Sequence, residues 1–165
     1  FKEIHSSVHK IKFLLPQIFL LFVFLQITIG AFVSGMDAGK IYNSWPLMGQ
    51  SYFPDDNSIS NLFKLSSFDD PSLVQFIHRN LAYLILLIFL YICYFVYKNN
   101  LNFFYNVIKL IGFLLLLQII LGILTLLSGA QIILASMHQI SSIFLVSSSI
   151  YLIYLNSKIN LQPSN

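Results

Sequence analysis

The chain has 165 residues, of which 57% are hydrophobic and only 9% are charged, and its net charge is +3. Soluble domains carry about a quarter charged residues, so this composition excludes an ordinary soluble domain and indicates a membrane protein. The positive charge is small and dispersed, which gives no basic patch for nucleic acid. The single cysteine, Cys93, lies within an apolar run, so an intrachain disulfide is excluded as well.

Four apolar stretches are long enough to cross a bilayer as helices, since one span needs about 20 residues. Only helices and closed barrels satisfy their own backbone in lipid, and these runs are too long for barrel strands. We therefore predict an all-α, integral membrane four-helix bundle with up-down topology. The predicted spans are 13–34, 73–97, 103–127 and 132–156, with a leader at 1–12, an outer loop at 35–72 and a tail at 157–165.

The chain begins with Phe1 rather than Met. Its first apolar run is too long for the apolar region of a signal peptide and has no small-residue cleavage site after it. We therefore expect no signal peptide, and we expect the chain to be a fragment or a processed product of a longer protein.

Basic residues lie mainly at the end of the predicted bundle that holds both termini. Those at this end are Lys2, Lys10, Lys12, Lys98, Lys109 and Lys158, whereas Lys40, Lys64 and Arg79 lie at the other end. The positive-inside rule therefore places both termini in the cytoplasm or the mitochondrial matrix. The 35–72 loop then faces outward, where its aromatic residues suit the membrane interface. Two roles for it stay open: a surface lid with interfacial anchors, or a cover over a cofactor site.

Two histidines, His78 and His138, lie at similar positions inside the second and fourth predicted helices. Ionisable side chains at membrane depth are costly and usually have a partner and a task. At 1.5 Å per residue, both lie roughly 8–9 Å below the outer boundary. Facing side chains on diagonal helices of a bundle point at one central cavity. A shared ligand is therefore favoured over two separate hydrogen bonds between helices.

Two neutral imidazoles facing each other suit an iron porphyrin. Zinc would need three or four ligands, and a proton relay would need a carboxylate within the spans. We therefore predict bound haem, with His78 and His138 as the two iron ligands. Arg79 is a candidate partner for a haem propionate, and the alternative is that it reaches the lipid headgroups.

Each histidine-bearing helix follows a helix of similar sequence. Residues 25–30, Leu-Gln-Ile-Thr-Ile-Gly, match residues 117–122, Leu-Gln-Ile-Ile-Leu-Gly, and a Ser-Gly pair follows each run. This similarity predicts a bundle built from two similar helix pairs, with chance likeness between apolar helices as the alternative. Gly30 and Gly122 give clearance to a flat macrocycle or serve plain helix contact, and the serines of the fourth helix are expected to serve close packing.

Residues 30–39, Gly-Ala-Phe-Val-Ser-Gly-Met-Asp-Ala-Gly, and 42–48, Tyr-Asn-Ser-Trp-Pro-Leu-Met, resemble the loop signature of the haem A synthase family. The resemblance runs from about residue 20 to 155 and includes the segments around His78 and His138. That family has eight transmembrane helices in two similar halves, and this chain resembles the C-terminal half. The resemblance implies a b-type haem between the two histidines and places the chain with the members that lack cysteine pairs.

Enzymes of that family oxidise a methyl group of haem O to the formyl group of haem A, for the assembly of cytochrome oxidase. The family's N-terminal half binds the haem O substrate, so the resemblance implies that this half alone does not complete the reaction. We expect its haem b to pass electrons between an outside donor or acceptor and the reaction site. The implied partners are haem O, an electron donor and the lipid of a bacterial cytoplasmic or mitochondrial inner membrane, with an oligomer left open.

Two other functions remain alternatives. The first is a free-standing membrane cytochrome b that transfers electrons and transforms no substrate. The second is a cofactor-free bundle that serves as an assembly or scaffold subunit.

Overall fold

A computed structural model describes residues 10–12 and 14–158 of the chain. Over this range the fold consists of four long helices and short 3₁₀ turns, and the prediction of an all-α membrane bundle is confirmed. The long helices are α1 (Leu14–Gly35), α2 (Pro71–Lys98), α3 (Tyr105–Leu127) and α4 (Ile132–Lys158). All four are long and apolar enough to cross a membrane. The predicted leader and tail fall largely outside the described residues.

Helix α2 begins at Pro71 rather than at the predicted residue 73, because Asp70 caps it. One oxygen of this carboxylate accepts the backbone N–H groups of Ser72 and Leu73 at 3.0 and 3.1 Å. Proline at the first helical position adds to the start signal. Burial raises the pKa of Asp70, but hydrogen bonds from Asn57, Ser72 and Leu73 outweigh burial and hold the pKa below its usual value. The carboxylate therefore stays charged and fixes the point where the outer loop meets α2.

The four helices form a ring in which each contacts two neighbours. α1 packs most closely on α2, and α3 packs most closely on α4, while α1 contacts α4 and α2 contacts α3. Helices α2 and α4, which carry His78 and His138, therefore lie diagonally across the bundle. The last turn of α4 also holds the start of the described chain, because Asn156 Nδ2 donates to the Ile11 carbonyl at 3.2 Å.

The two helix pairs repeat each other in burial as well as in sequence. Phe19 and Val23 of α1 are buried, and so are Ile111 and Leu115 at the equivalent positions of α3. The buried residues Ile85, Phe89, Ile92 and Val96 of α2 correspond to Leu145, Ser149, Leu152 and Asn156 of α4, which are also buried. Chance likeness between apolar helices would not reproduce one burial pattern in both pairs. The prediction of a bundle built from two similar helix pairs is confirmed.

The buried apolar core lies in the inner half of the bundle, which we define as the half that holds the start of α1 and the end of α4. Helix α1 has no buried residue after Val23, and α4 has none before Ser141. Helix α2 has none between Gln75 and Ile85. The outer half, which carries both histidines, is therefore packed less tightly than the inner half.

Candidate functional site

His78 lies between a glutamine and a glycine of α1. A Cβ atom placed on Gly30 would lie 3.2 Å from His78 Cε1, so the imidazole rests against the backbone of α1. One turn earlier, Gln26 Nε2 donates to the His78 carbonyl at 3.1 Å and lies 3.2 Å from the ring nitrogen Nε2. The ring is thus held by one small residue and one amide.

His138 occupies an equivalent site against α3. A Cβ atom placed on Gly122 would lie 3.2 Å from His138 Cε1, and Gln118 Nε2 donates to the His138 carbonyl at 3.1 Å. Both glycines therefore make room for a histidine ring. Of the two roles left open for Gly30, the structure supports close helix contact, and Gly122 plays the same part.

Gly122→Ala is expected to lower the free energy of unfolding by about 1–3 kcal/mol, because the new methyl group must push the His138 ring aside. Thermal or denaturant unfolding of the purified chain would measure this loss. Gly35→Ala is the matched control, since a Cβ atom there meets nothing within 4 Å. Equal stability of the two variants would show that the glycine at 122 is not required for ring packing.

The two imidazoles fit the haem that the sequence predicts. Nδ1 of His78 and Nδ1 of His138 are both buried, and neither has a hydrogen-bond partner in the part of the chain that the structure describes. Each Nδ1 lies near the neighbouring glycine, 3.8 Å from a Cβ atom placed on Gly30 and 3.7 Å from one placed on Gly122, so Nε2 is the ring nitrogen that is left to bind a metal ion. The rings lie on diagonal helices, in the half of the bundle that is less tightly packed. Within the described residues, no group of three or more His, Cys, Asp or Glu side chains offers a different metal site.

Arg79 follows His78 on α2, and its guanidinium contacts the outer loop. Nη1 donates to the carbonyls of Ser44 at 3.0 Å and Leu47 at 3.3 Å, and Nη2 donates to the carbonyl of Tyr42 at 3.0 Å. Nε is buried without a partner. Arg79 is therefore an anchor of the loop, a role that we did not predict, while its pairing with a propionate stays a prediction.

The outer loop lies along α2 and is held by side chains of that helix. Gln75, one turn before Arg79, donates to the Tyr42 carbonyl at 3.0 Å. Tyr83, one turn after Arg79, accepts the indole N–H of Trp45 at 3.0 Å. Three positions on one face of α2 therefore bind the segment that carries the Tyr-Asn-Ser-Trp-Pro signature.

The loop also reaches α3 and so covers the outer end of the bundle. Asn43 Nδ2 donates to the Leu126 carbonyl at 2.9 Å, near the end of α3. Further along the loop, Phe63 and Leu65 are 84% and 90% exposed, which suits contact with the membrane interface.

Burial and a hydrogen bond to Asp56 raise the pKa of the Tyr42 phenol, so this group stays neutral. The two roles left open for the loop are compatible, since its start covers the bundle and its later part is exposed.

Gln26 and Gln118 are the site residues that the sequence interpretation missed. Both stand in the matched Leu-Gln-Ile runs, but the runs served only to identify the repeat. The sequence did contain a signal for them: an amide stands at the same position of two otherwise apolar helices. Because a polar group at membrane depth needs a partner, each amide could have been predicted to bond to a neighbouring helix. The structure supplies that partner, which is the histidine-bearing helix in each pair.

A family model described as cytochrome oxidase assembly protein (COX15-CtaA) matches residues 5–150. The haem A synthase of Pelagibacter ubique (strain HTCC1062) is 43% identical over 158 residues, which cover 92% of this chain and 46% of the relative. That of Rickettsia felis (strain ATCC VR-1525 / URRWXCal2) is 38% identical over 149 residues, which cover 88% and 43%. The chain spans about half the length of the curated relatives it matches. No solved structure shows a significant match.

Proposed function

Since the chain belongs to the COX15-CtaA family of cytochrome oxidase assembly proteins, we propose that it is the C-terminal, haem b-binding half of a haem A synthase. One observation carries the proposal: two imidazoles occupy equivalent sites on diagonal helices, each packed against a glycine of the neighbouring helix, with Nδ1 buried near that glycine and Nε2 left as the nitrogen that would bind iron. A bis-histidine haem would use both rings and would need no further protein ligand.

In this proposal His78 and His138 would hold the iron of the haem. Gly30 and Gly122 let the rings pack against α1 and α3, and the outer loop keeps water from the outer end of the bundle. Arg79 fixes that loop, and its remaining Nε–H is available to a propionate. When bound, haem b would supply one-electron oxidation and reduction.

We assign the oxidation of haem O to haem A to the whole synthase rather than to this half. Two relatives that carry the haem A synthase name support this assignment, and the chain spans about half of their length. The other half would bind haem O, and the haem b of this half would pass electrons to or from an outside donor or acceptor.

We propose that the termini lie in the cytoplasm or the mitochondrial matrix. Five described lysines at the inner end of the bundle support this orientation under the positive-inside rule: Lys10, Lys12, Lys98, Lys109 and Lys158. The chain would then reside in a bacterial cytoplasmic or mitochondrial inner membrane with the outer loop on the far side.

A reduced-minus-oxidised optical spectrum of the purified chain tests the proposal. We expect sharp low-spin bands, because two imidazoles provide both axial ligands. A colourless protein would overturn the haem site and would favour the scaffold alternative. A free-standing cytochrome b would give the same spectrum, so haem O oxidation is measured on the full-length protein that contains the sequence, with a preparation lacking haem O as the control.

A further inference from the structure

The two glutamines hold their histidines differently. Gln26 Nε2 contacts both the carbonyl and the ring nitrogen Nε2 of His78, at 3.1 and 3.2 Å. Gln118 Nε2 donates to the carbonyl of His138 at 3.1 Å, but its second hydrogen bond goes to the hydroxyl of Ser141. No side chain among the described residues hydrogen-bonds to the ring of His138, so the repeat is broken at this contact.

One substitution within the repeat accounts for the difference. Ser141 lies one turn after His138 on α4, where its hydroxyl accepts from Gln118 and donates to the His138 carbonyl at 3.1 Å. The equivalent residue on α2 is Leu81, which offers no acceptor. The amide of Gln26 therefore has the imidazole of His78 as its second acceptor.

The contact between Gln26 and His78 fixes which ring nitrogen carries the proton. Gln26 Nε2 also donates to the His78 carbonyl, so this atom is the amide NH₂ group and can act only as a donor. His78 Nε2 must then be the acceptor, and the ring proton lies on Nδ1. A metal ion binds an imidazole nitrogen through the same lone pair that accepts this hydrogen bond. Gln26 and an iron ion therefore compete for His78 Nε2, whereas no side chain among the described residues competes for the ring of His138.

We propose, on the basis of the haem site proposed above, that Gln26 makes His78 the weaker and later of the two iron ligands. His138 takes up the haem first, and His78 completes the ligand set once its ring leaves the amide of Gln26. Gln26 is thus a positioning residue that makes the two halves of a near-symmetric site unequal. His78 on α2, which lies beside the loop anchor Arg79, is thus the ligand that would leave the iron more readily.

Titration of the haem-free full chain with ferric protoporphyrin IX tests the proposal. The His138→Ala variant, which keeps only His78, should bind about fivefold more weakly than the His78→Ala variant, because one hydrogen bond must be broken first. Both variants should give high-spin spectra, and added imidazole should restore the low-spin form. The same titration of the variant that lacks both histidines measures the background from detergent and from free imidazole, so binding above that background is due to the remaining histidine.

Removal of the competing amide should restore the haem affinity that the His138→Ala variant lacks. Gln26→Met in the His138→Ala background should tighten binding about fivefold, since one competing hydrogen bond is lost. Leu81→Ser should act in the same direction by offering Gln26 another acceptor, and it leaves the glutamine in place if Gln26→Met folds poorly. The matched control is Gln118→Met in the His78→Ala background, which should bring no gain because the amide of Gln118 donates to the His138 carbonyl and to Ser141 and not to the ring of His138.

The outcomes separate this proposal from the proposed function. Low-spin haem in the wild type, with equal affinity in the two single-histidine variants and no gain from Gln26→Met or Leu81→Ser, would overturn the role of Gln26 and leave the haem site intact. A wild-type chain that binds no haem would overturn both. A gain from Gln118→Met as large as that from Gln26→Met would also overturn the proposal.

Discussion

Replacement of both His78 and His138 by alanine is expected to abolish haem binding while the bundle remains folded. Both proposed iron ligands are lost, the described part of the chain contains no third histidine, and its one cysteine, Cys93, lies about four turns after His78 on α2. The fold should persist because the buried core lies in the inner half and does not include either ring. Optical spectroscopy measures the haem, and far-ultraviolet circular dichroism measures the helices.

Gln139→Ala serves as the control for this double replacement, since Gln139 is the exposed neighbour of His138 and should keep the low-spin spectrum. Retention of low-spin haem by the double variant would exclude these histidines as the ligands. In the full-length protein, undiminished haem O oxidation by a double variant that has lost haem b would rule out electron transfer through this half.

Arg79→Leu is expected to release the outer loop from α2. The guanidinium donates to the carbonyls of Tyr42, Ser44 and Leu47, and a hydrogen bond from a charged donor contributes about 1.5–3 kcal/mol. The loop is partly exposed and Gln75 still holds Tyr42, so we expect a local loss of roughly 3–5 kcal/mol rather than the full sum. Hydrogen–deuterium exchange of residues 42–53 should accelerate by about two to four orders of magnitude.

This experiment is run on the haem-free chain, where a propionate cannot contribute. Lys64→Leu is the matched control, because it removes a loop cation whose recorded hydrogen bond goes to Asn61 of the same loop. Unchanged exchange in haem-free Arg79→Leu, together with weaker haem binding, would assign Arg79 to a propionate and not to the loop.

The apolar spans of this chain predict most of its fold. Each run has the length of one membrane crossing, and the helix ends differ from the predicted bounds where a cap acts, as Asp70 does before α2. The three short 3₁₀ helices of the outer loop were not predicted. The first (Ala38–Lys40) contacts α2 and α3 and the third (Leu65–Asp69) contacts α2, and a local sequence pattern does not contain these contacts.

Only part of the site could be predicted, because some of its contacts also form only when the helices and the loop pack together. The histidines and glycines were visible as residue types repeated at matching positions. The role of Arg79 could not be predicted, because the guanidinium donates to backbone carbonyls, and every residue has a backbone carbonyl. The difference between Gln26 and Gln118 was hidden because it arises from Leu81 and Ser141, which lie on other helices and become neighbours only after packing.

The position of the buried core has a consequence for biogenesis. A bundle secured at its inner end can insert and associate in the bilayer before any pigment arrives. Under the proposed function, capture of the macrocycle would then be a late step of maturation, which would rearrange the half of the bundle in one leaflet and leave the packing in the other leaflet unchanged.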